Sequence, residues 1–311
     1  MQENWERQAL NDLLQASLKE QRRKRRWGIF FKLLGFTYLF VVTMLIVGDF
    51  GEKKLESVSK GPHTAVVSMD GVIASNGEAN IENVIEGLTN AFEDKNTRGV
   101  ILSVNSPGGS PVEAGQLHDA MLRLKQKYPK TPLYAVVGDI CASGCYYAAV
   151  GADKIYADKA SIVGSIGVLM DGFGFTGTMD KLGVERRLLT AGKNKGFLDP
   201  FSPVSGEQKA KAQDMLDEIH QQFIDVVKNG RGKRLSNDPD LFTGLVWSGA
   251  KSVKLGLVDG LGSIGSVARD VIKAEDVIDF TPQPGYLDRF ARRVGVTAAA
   301  HLGSQFRMSL Q

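Results

Sequence analysis

The stretch LYAVVGDICASGCYYAA, residues 133–149, changes character halfway along. Its first part, 133–137, is a continuous apolar run of strand length, as expected of a strand covered on both faces. Its last part, continuing to 150, is small and apolar and suits a short buried helix. Between them the chain must turn from strand to helix at Ala142, Ser143 and Gly144. Serine and glycine are ordinary residues at such a turn. A serine at a sharp strand-to-helix turn can also be a nucleophile, and the rest of the chain has to decide between the two readings.

The same design recurs upstream. GVILSV (99–104) is a second continuous apolar strand, and it runs into NSPGGSPVEAG (105–115). Ser110 suits a helix N-cap, Pro111 the first helical position, and Glu113 completes a capping-box pattern. Gly108 and Gly109 therefore lie between a strand end and a helix N-terminus, where backbone N–H groups are free and negative charge is favoured. Without a Cβ in the way, a substrate carbonyl can come close, which is what an oxyanion hole requires. A plain tight turn is the bland alternative. Further strands are predicted over 64–73, 154–157, 162–169 and 184–189. Helices are predicted over 81–92, 110–127, 144–150, 176–182, 207–228, 249–255 and 263–273. This order predicts the α/β class, with a mostly parallel sheet and helices on its faces.

The chain has 311 residues and a net charge of +3. Its basic residues are unevenly spread: Lys19, Arg22, Arg23, Lys24, Arg25 and Arg26 sit together, and an apolar run over 27–48 follows, interrupted only by Lys32. About twenty apolar residues span a bilayer core as a helix. No small-x-small cleavage site follows, so the run reads as an uncleaved anchor with the basic block on the cytoplasmic side. The predicted organisation is a cytoplasmic basic segment (1–26), a transmembrane anchor (27–48), a linker (49–62), a globular domain (63–275) and a C-terminal arm (276–311). Leu10, Leu13, Leu14 and Leu18 share one side of a possible amphipathic helix over 1–18, and YLDRFARRVG (286–295) is a second basic amphipathic segment. The basic run is better explained by membrane topology than by nucleic acid. No metal cluster, P-loop or dinucleotide fingerprint occurs, so neither a metal nor a cofactor is expected. The two cysteines, Cys141 and Cys145, stand at i and i+4. One helical turn apart they could bond only with strain, and they read as small packing residues beside the serine.

A serine hydroxyl is a weak nucleophile until a base takes its proton. His118 and His220 fall within predicted helices, His63 at the edge of the linker and His301 in the tail, so none sits at a strand end beside Ser143. The GxSxG elbow of hydrolase-fold enzymes is also missing. The other available base is a lysine of lowered pKa. TAGKNKGFLDPFSP (190–203) offers Lys193 and Lys195 in a glycine-flanked loop, where a solvated charge is the ordinary reading.

Taken together, NSPGG (105–109), ICASGCYYAA (140–149), VGSIGV (163–168) and GKNKGFLDPF (192–201) resemble the bacterial signal peptide peptidase A family, membrane-anchored serine peptidases with a Ser-Lys dyad. The likeness covers residues 64–275 in order and spacing, and the N-terminal anchor fits it. It implies Ser143 as nucleophile and Lys195 as general base. Lys195 is chosen over Lys193 on spacing alone, standing three residues after Gly192. It implies Gly108 and Gly109 as the oxyanion turn, Gly108 the first choice of donor, and Ser165 as the hydroxyl that orients the lysine amine. The chain departs from the pattern in the cysteines flanking the serine and in Gly-Phe-Leu-Asp after Lys195; neither departure removes a catalytic group.

The fold implied is that of crotonases and the Clp peptidase, a spiral of β-β-α units. Relatives form homo-oligomeric rings in which neighbouring subunits often complete one site. The implied partners are peptide substrates and the inner membrane, with the catalytic domain outside it, periplasmic where an outer membrane exists. The implied activity is cleavage of apolar, unstructured peptides, remnant signal peptides above all. Rival readings are quality control of misfolded envelope or membrane proteins, an acyl-CoA enzyme of the crotonase type, and a non-catalytic scaffold.

Overall fold

In the computed structural model, which describes residues 2–52, 61–75, 77 and 79–282, the strands form where apolar runs are continuous. β1 (His63–Asp70), β2 (Thr97–Ser106) and β3 (Leu133–Ala142) are the long central strands, parallel to one another in the order β3-β2-β1. Val100, Ile101, Leu102 and Val104 of β2 and Leu133, Ala135, Val136 and Val137 of β3 are buried on both faces, as expected of covered parallel strands. α2 (Ile81–Glu93) follows β1 and buries Ile81, Val84, Leu88 and Phe92 on one stripe, with Asn80 accepting the Asn83 N–H at its start. α3 (Pro111–Lys127) follows β2, with Ser110 Oγ accepting the Glu113 N–H. α4 (Gly144–Ala149) follows β3 and is almost wholly buried.

The sheet then splits. Residues 134–137 of β3 pair with β4 (Lys154–Ala157), while 140–142 pair with β5 (Ile162–Gly164). β6 (Val246–Ser248) closes one edge antiparallel to β5, β7 (Gly260–Leu261) extends β4, and β8 (Val277–Asp279) lies outside β1. These strands and helices make an α/β architecture in which each long strand hands over to a helix packed on the sheet. α5 (Thr176–Leu182), the long α6 (Gly206–Arg231), α7 (Gly249–Leu255) and the short α8 (Ile264–Ser266), prolonged by a π-helical turn over Val267–Ile272, complete the domain.

Several expectations shift. The strand predicted over 162–169 ends at Gly164. Residues 184–189 form no strand; Val184, Leu188 and Leu189 are exposed and no neighbouring strand pairs with them. β8 falls in the stretch assigned to a C-terminal arm and pairs with β1. The basic amphipathic segment at 286–295 lies outside the described residues.

The N-terminal region is a separate unit. α1 (Gln2–Glu52) is one continuous helix, which takes in the first residues of the expected linker; 53–60 lie outside the described residues. Within it Gln15–Thr43 is long and apolar enough to cross a membrane. Its Phe30, Leu33, Phe36, Leu39 and Phe40 are exposed.

Candidate active site

Two backbone turns meet at one end of the sheet. In the first, β2 ends at Ser106, and Gly108 and Gly109 adopt φ of 101° and 150°. Ile73 pins this turn: its N–H donates to Gly108 O at 2.9 Å, and its own carbonyl accepts the Ser110 N–H at 2.9 Å. Ser106 Oγ accepts the Gly108 N–H at 3.1 Å. In the second, β3 ends at Ala142 and Ser143 takes φ 54° and ψ −125°, conformation suited to glycine, before α4 begins at Gly144. The Ser143 N–H donates to Gly164 O at 2.9 Å, and its carbonyl accepts the Tyr147 N–H at 3.0 Å.

The turns are in contact. A Cβ on Gly108 would come within 2.8 Å of both Ser143 Cβ and Gly144 N, and one on Gly144 within 3.3 Å of Gly109 N. Glycine is required at 108 by closeness as well as by φ, and at 144 the approach is tight. Ser143, Gly144 and Gly109 line a cavity of about 520 Å³ whose other walls include Ser165, Tyr147, Val168, Leu169, Ile219 and Phe223. Ser165 has a positive φ of 52°, and its N–H donates to Leu245 O at 2.7 Å. Tyr147, on the cavity wall, has its phenol pKa raised by burial and then by the Asp119 charge.

Ser143, Gly108, Gly109 and Ser165 are thus brought together, and Lys195 is not. Lys195 is exposed, sits in a turn closed by its own N–H to Gly192 O at 3.0 Å, and does not line the cavity. It belongs to an arm, 168–204, that folds on itself. Asp199 there accepts from Ser202 Oγ at 2.7 Å and pairs with Arg186 at 3.4 Å, and Phe175 stacks on Phe201. The Ser202 bond leads the groups that hold the Asp199 carboxyl below its usual pKa. Lys193 pairs with Glu207 at 3.4 Å. The arm leaves Leu169, Phe173, Leu182 and Leu189 exposed. Among the histidines, His63 contacts Thr97, His118 contacts Asp119 and His220 contacts Ile166 O; none lines the cavity, and His301 lies outside the described residues.

Two features were missed by the sequence reading. Gly144 lies against the Gly109 turn, yet a backbone donor leaves no side-chain signature in a sequence. Cys141 and Cys145, read as packing residues, are joined in a disulfide with a Cα–Cα separation of 5.2 Å. The i and i+4 spacing means one helical turn only where both residues lie on one helix. Cys141 is the penultimate residue of β3 and Cys145 lies in α4, and the bend at Ser143 brings them within bonding range. Among the described residues no cluster of His, Cys, Asp and Glu could hold a metal ion.

Comparison with known proteins places this geometry. Residues 125–277, which include Ser143, Ser165 and Lys195, match the model of peptidase family S49. A signal peptide peptidase SppA of Enterococcus faecium is 29% identical over 288 residues, covering 83% of each chain. Protease 4 of Haemophilus influenzae is 31% identical over 231 residues, 73% of this chain and 36% of that one. A Brucella abortus protein named Na(+)/H(+) antiporter NhaA is 42% identical over 228 residues, 70% of this chain, and the match spans only 30% of its length.

Proposed function

Because this chain belongs to the signal peptide peptidase A family of serine peptidases, within peptidase family S49, we propose that Ser143 is its nucleophile and Lys195 of a neighbouring copy its general base. The observation that carries the reading is the meeting of the Ser143 turn with the glycine turn at the mouth of one cavity. Ser143 Oγ attacks the peptide carbonyl carbon while the neutral lysine amine takes the hydroxyl proton. Negative charge develops on the carbonyl oxygen, and the Gly109 and Gly144 N–H groups receive it. Gly108, the first choice of donor from sequence, already gives its N–H to Ser106 Oγ, so its role is to let the two turns touch. The intermediate collapses, the protonated lysine gives its proton to the leaving amine, and water releases the acyl group by the reverse sequence. The Ser165 hydroxyl, on the same cavity, orients the lysine amine.

The exposed position of Lys195 supports a shared site. The arm that carries it presents Leu169, Phe173, Leu182 and Leu189 to solvent, as an element made to pack on a second copy in a ring would. The apolar cavity wall suits extended apolar peptides, and α1 would hold the domain at the membrane surface where remnant signal peptides emerge, outside the inner membrane. Misfolded envelope or membrane proteins are the second client class. Sodium–proton exchange, named for the Brucella protein, is not adopted. Transporter ion sites form between several spanning helices, whereas the described residues here hold one candidate span.

The test is hydrolysis of an apolar fluorogenic peptide by the detergent-solubilised full chain, beside Ser143→Ala, Lys195→Ala and Lys193→Ala. The first two variants should each lose at least about 100-fold in kcat, the low end of a general-base contribution, and the third should match the parent. Undiminished cleavage by Ser143→Ala would refute the assignment of the nucleophile. Loss in Lys193→Ala with activity kept in Lys195→Ala would exchange the two lysines.

A further inference from the structure

We infer that the Cys141–Cys145 disulfide is the positioning clamp of the catalytic turn, so that the peptidase works at full rate only when this bond is closed. The inference rests on the reading of Ser143 as nucleophile. The bond joins the end of β3 to the first turn of α4 and encloses only Ala142, Ser143 and Gly144. Both ends are firmly placed: Cys141 is in register with Val163 on one side and Ser106 on the other, and Cys145 lies in the main core with no exposed surface. What lies between is a place where the backbone must hold an unfavourable state. Ser143 keeps a positive φ that a Cβ-bearing residue resists. Its amide bond to Gly164 O restrains one side of that residue and the Tyr147 N–H the other. Neither fixes the angle between strand and helix. A covalent link across the bend does, and that angle sets where Ser143 Oγ and the Gly144 N–H point.

The chain has two cysteines and both are in this bond, so no other thiol competes for either partner. Closing it removes two electrons and two protons from the paired thiols. A donor disulfide accepts them by thiol–disulfide exchange and leaves as two thiols. Such donors act in oxidising compartments outside the cytoplasm. The turn would therefore be clamped only after the domain has been exported.

The experiment uses the detergent-solubilised full chain, isolated without reductant, and an apolar fluorogenic peptide. Maleimide labelling of the denatured parent should find no free thiol; two free thiols would overturn the inference. The Cys141→Ala/Cys145→Ala variant should lose at least about tenfold in kcat while KM stays within about twofold, since a displacement of about 1 Å in a reacting group can cost about 100-fold. Unchanged kcat in a folded double variant would show that the bond serves stability alone. Should that variant fail to fold, the parent reduced by dithiothreitol should lose kcat and regain it on reoxidation with oxidised glutathione. Full kcat with both thiols free would again overturn the inference. Ser143→Ala run in parallel separates the two claims: if it cleaves like the parent, the nucleophile is wrong, whereas the thiol count reports on the disulfide independently.

Discussion

Replacing Ser143 by glycine should make the domain more stable than replacing it by alanine. Ser143 sits at φ 54° and ψ −125°, a state that belongs to glycine. Holding a residue with a Cβ in such a region costs about 1–3 kcal/mol. Ser143→Ala keeps the Cβ, so it keeps this penalty while losing the hydroxyl. Ser143→Gly removes the penalty and incurs about 0.5–1 kcal/mol from the greater freedom of glycine in the unfolded chain. At the middle of both ranges the balance favours glycine over alanine by about 1 kcal/mol. For a domain of this size each kcal/mol moves Tm by about 2–4 °C, so Ser143→Gly should melt higher than Ser143→Ala by about 2–4 °C. The assay is thermal unfolding of both full-length variants in the same detergent, followed by circular dichroism, with peptide hydrolysis confirming that both are inactive. A glycine variant that melts at or below the alanine variant would show that the turn carries no strain, and that surrounding structure does not impose the geometry of Ser143.

Mixing inactive chains tests the shared site: in a ring where Ser143 of one copy uses Lys195 of the next, randomly assembled Ser143→Ala and Lys195→Ala subunits should recover about a quarter of parent activity. Recovery no greater than that of either variant alone would place both groups in one chain. Asp259→Ala should destabilise the domain by about 3–5 kcal/mol in thermal or urea unfolding, because it strands the buried Arg231 guanidinium, whose Nη1 bonds Asp259 Oδ2 at 2.6 Å; a loss below about 1 kcal/mol would refute this. Burial pushes the Asp259 carboxyl up, yet the Arg231 bond and the Ile155 N–H outweigh it and leave its pKa below the ordinary carboxylate value. Its contribution is therefore complete above the unfolded-state pKa of about 4 and lost as pH falls through the lower folded-state value, so the gap in Tm between parent and Asp259→Asn should hold from neutral pH to about 4 and narrow below it. Tyr146→Phe should cost about 1–3 kcal/mol in the same unfolding assay, since the buried phenol donates to Leu257 O at 2.7 Å and its loss leaves that carbonyl unpaired.

What was legible in the sequence follows from which forces act locally. β2 and β3 announce themselves because a strand covered on both faces must be apolar throughout, and α2 because its buried stripe repeats every three or four residues. Ser143 and Gly109 could be picked out because each sits where a strand must turn into a helix. Residues 184–189 failed the same test because a strand is a relation between two segments. No neighbouring strand pairs with them, and Leu189 is left 96% exposed. β6, β7 and β8 are too short for any periodicity to declare them. The disulfide was missed for a related reason. Spacing in sequence was converted to distance on an assumed helix, whereas the true distance is set by the bend at Ser143. The proposed oxyanion pair was half seen, because the Gly144 amide acquires a role only when a turn distant in sequence is packed against it. Lys195 extends the same logic to a larger scale. Its loop is recognisable from its glycines, yet within one chain it is a solvated charge. A lysine needs burial to lower its pKa and become a base, and if the burying surface belongs to another copy, no single chain can display the completed site.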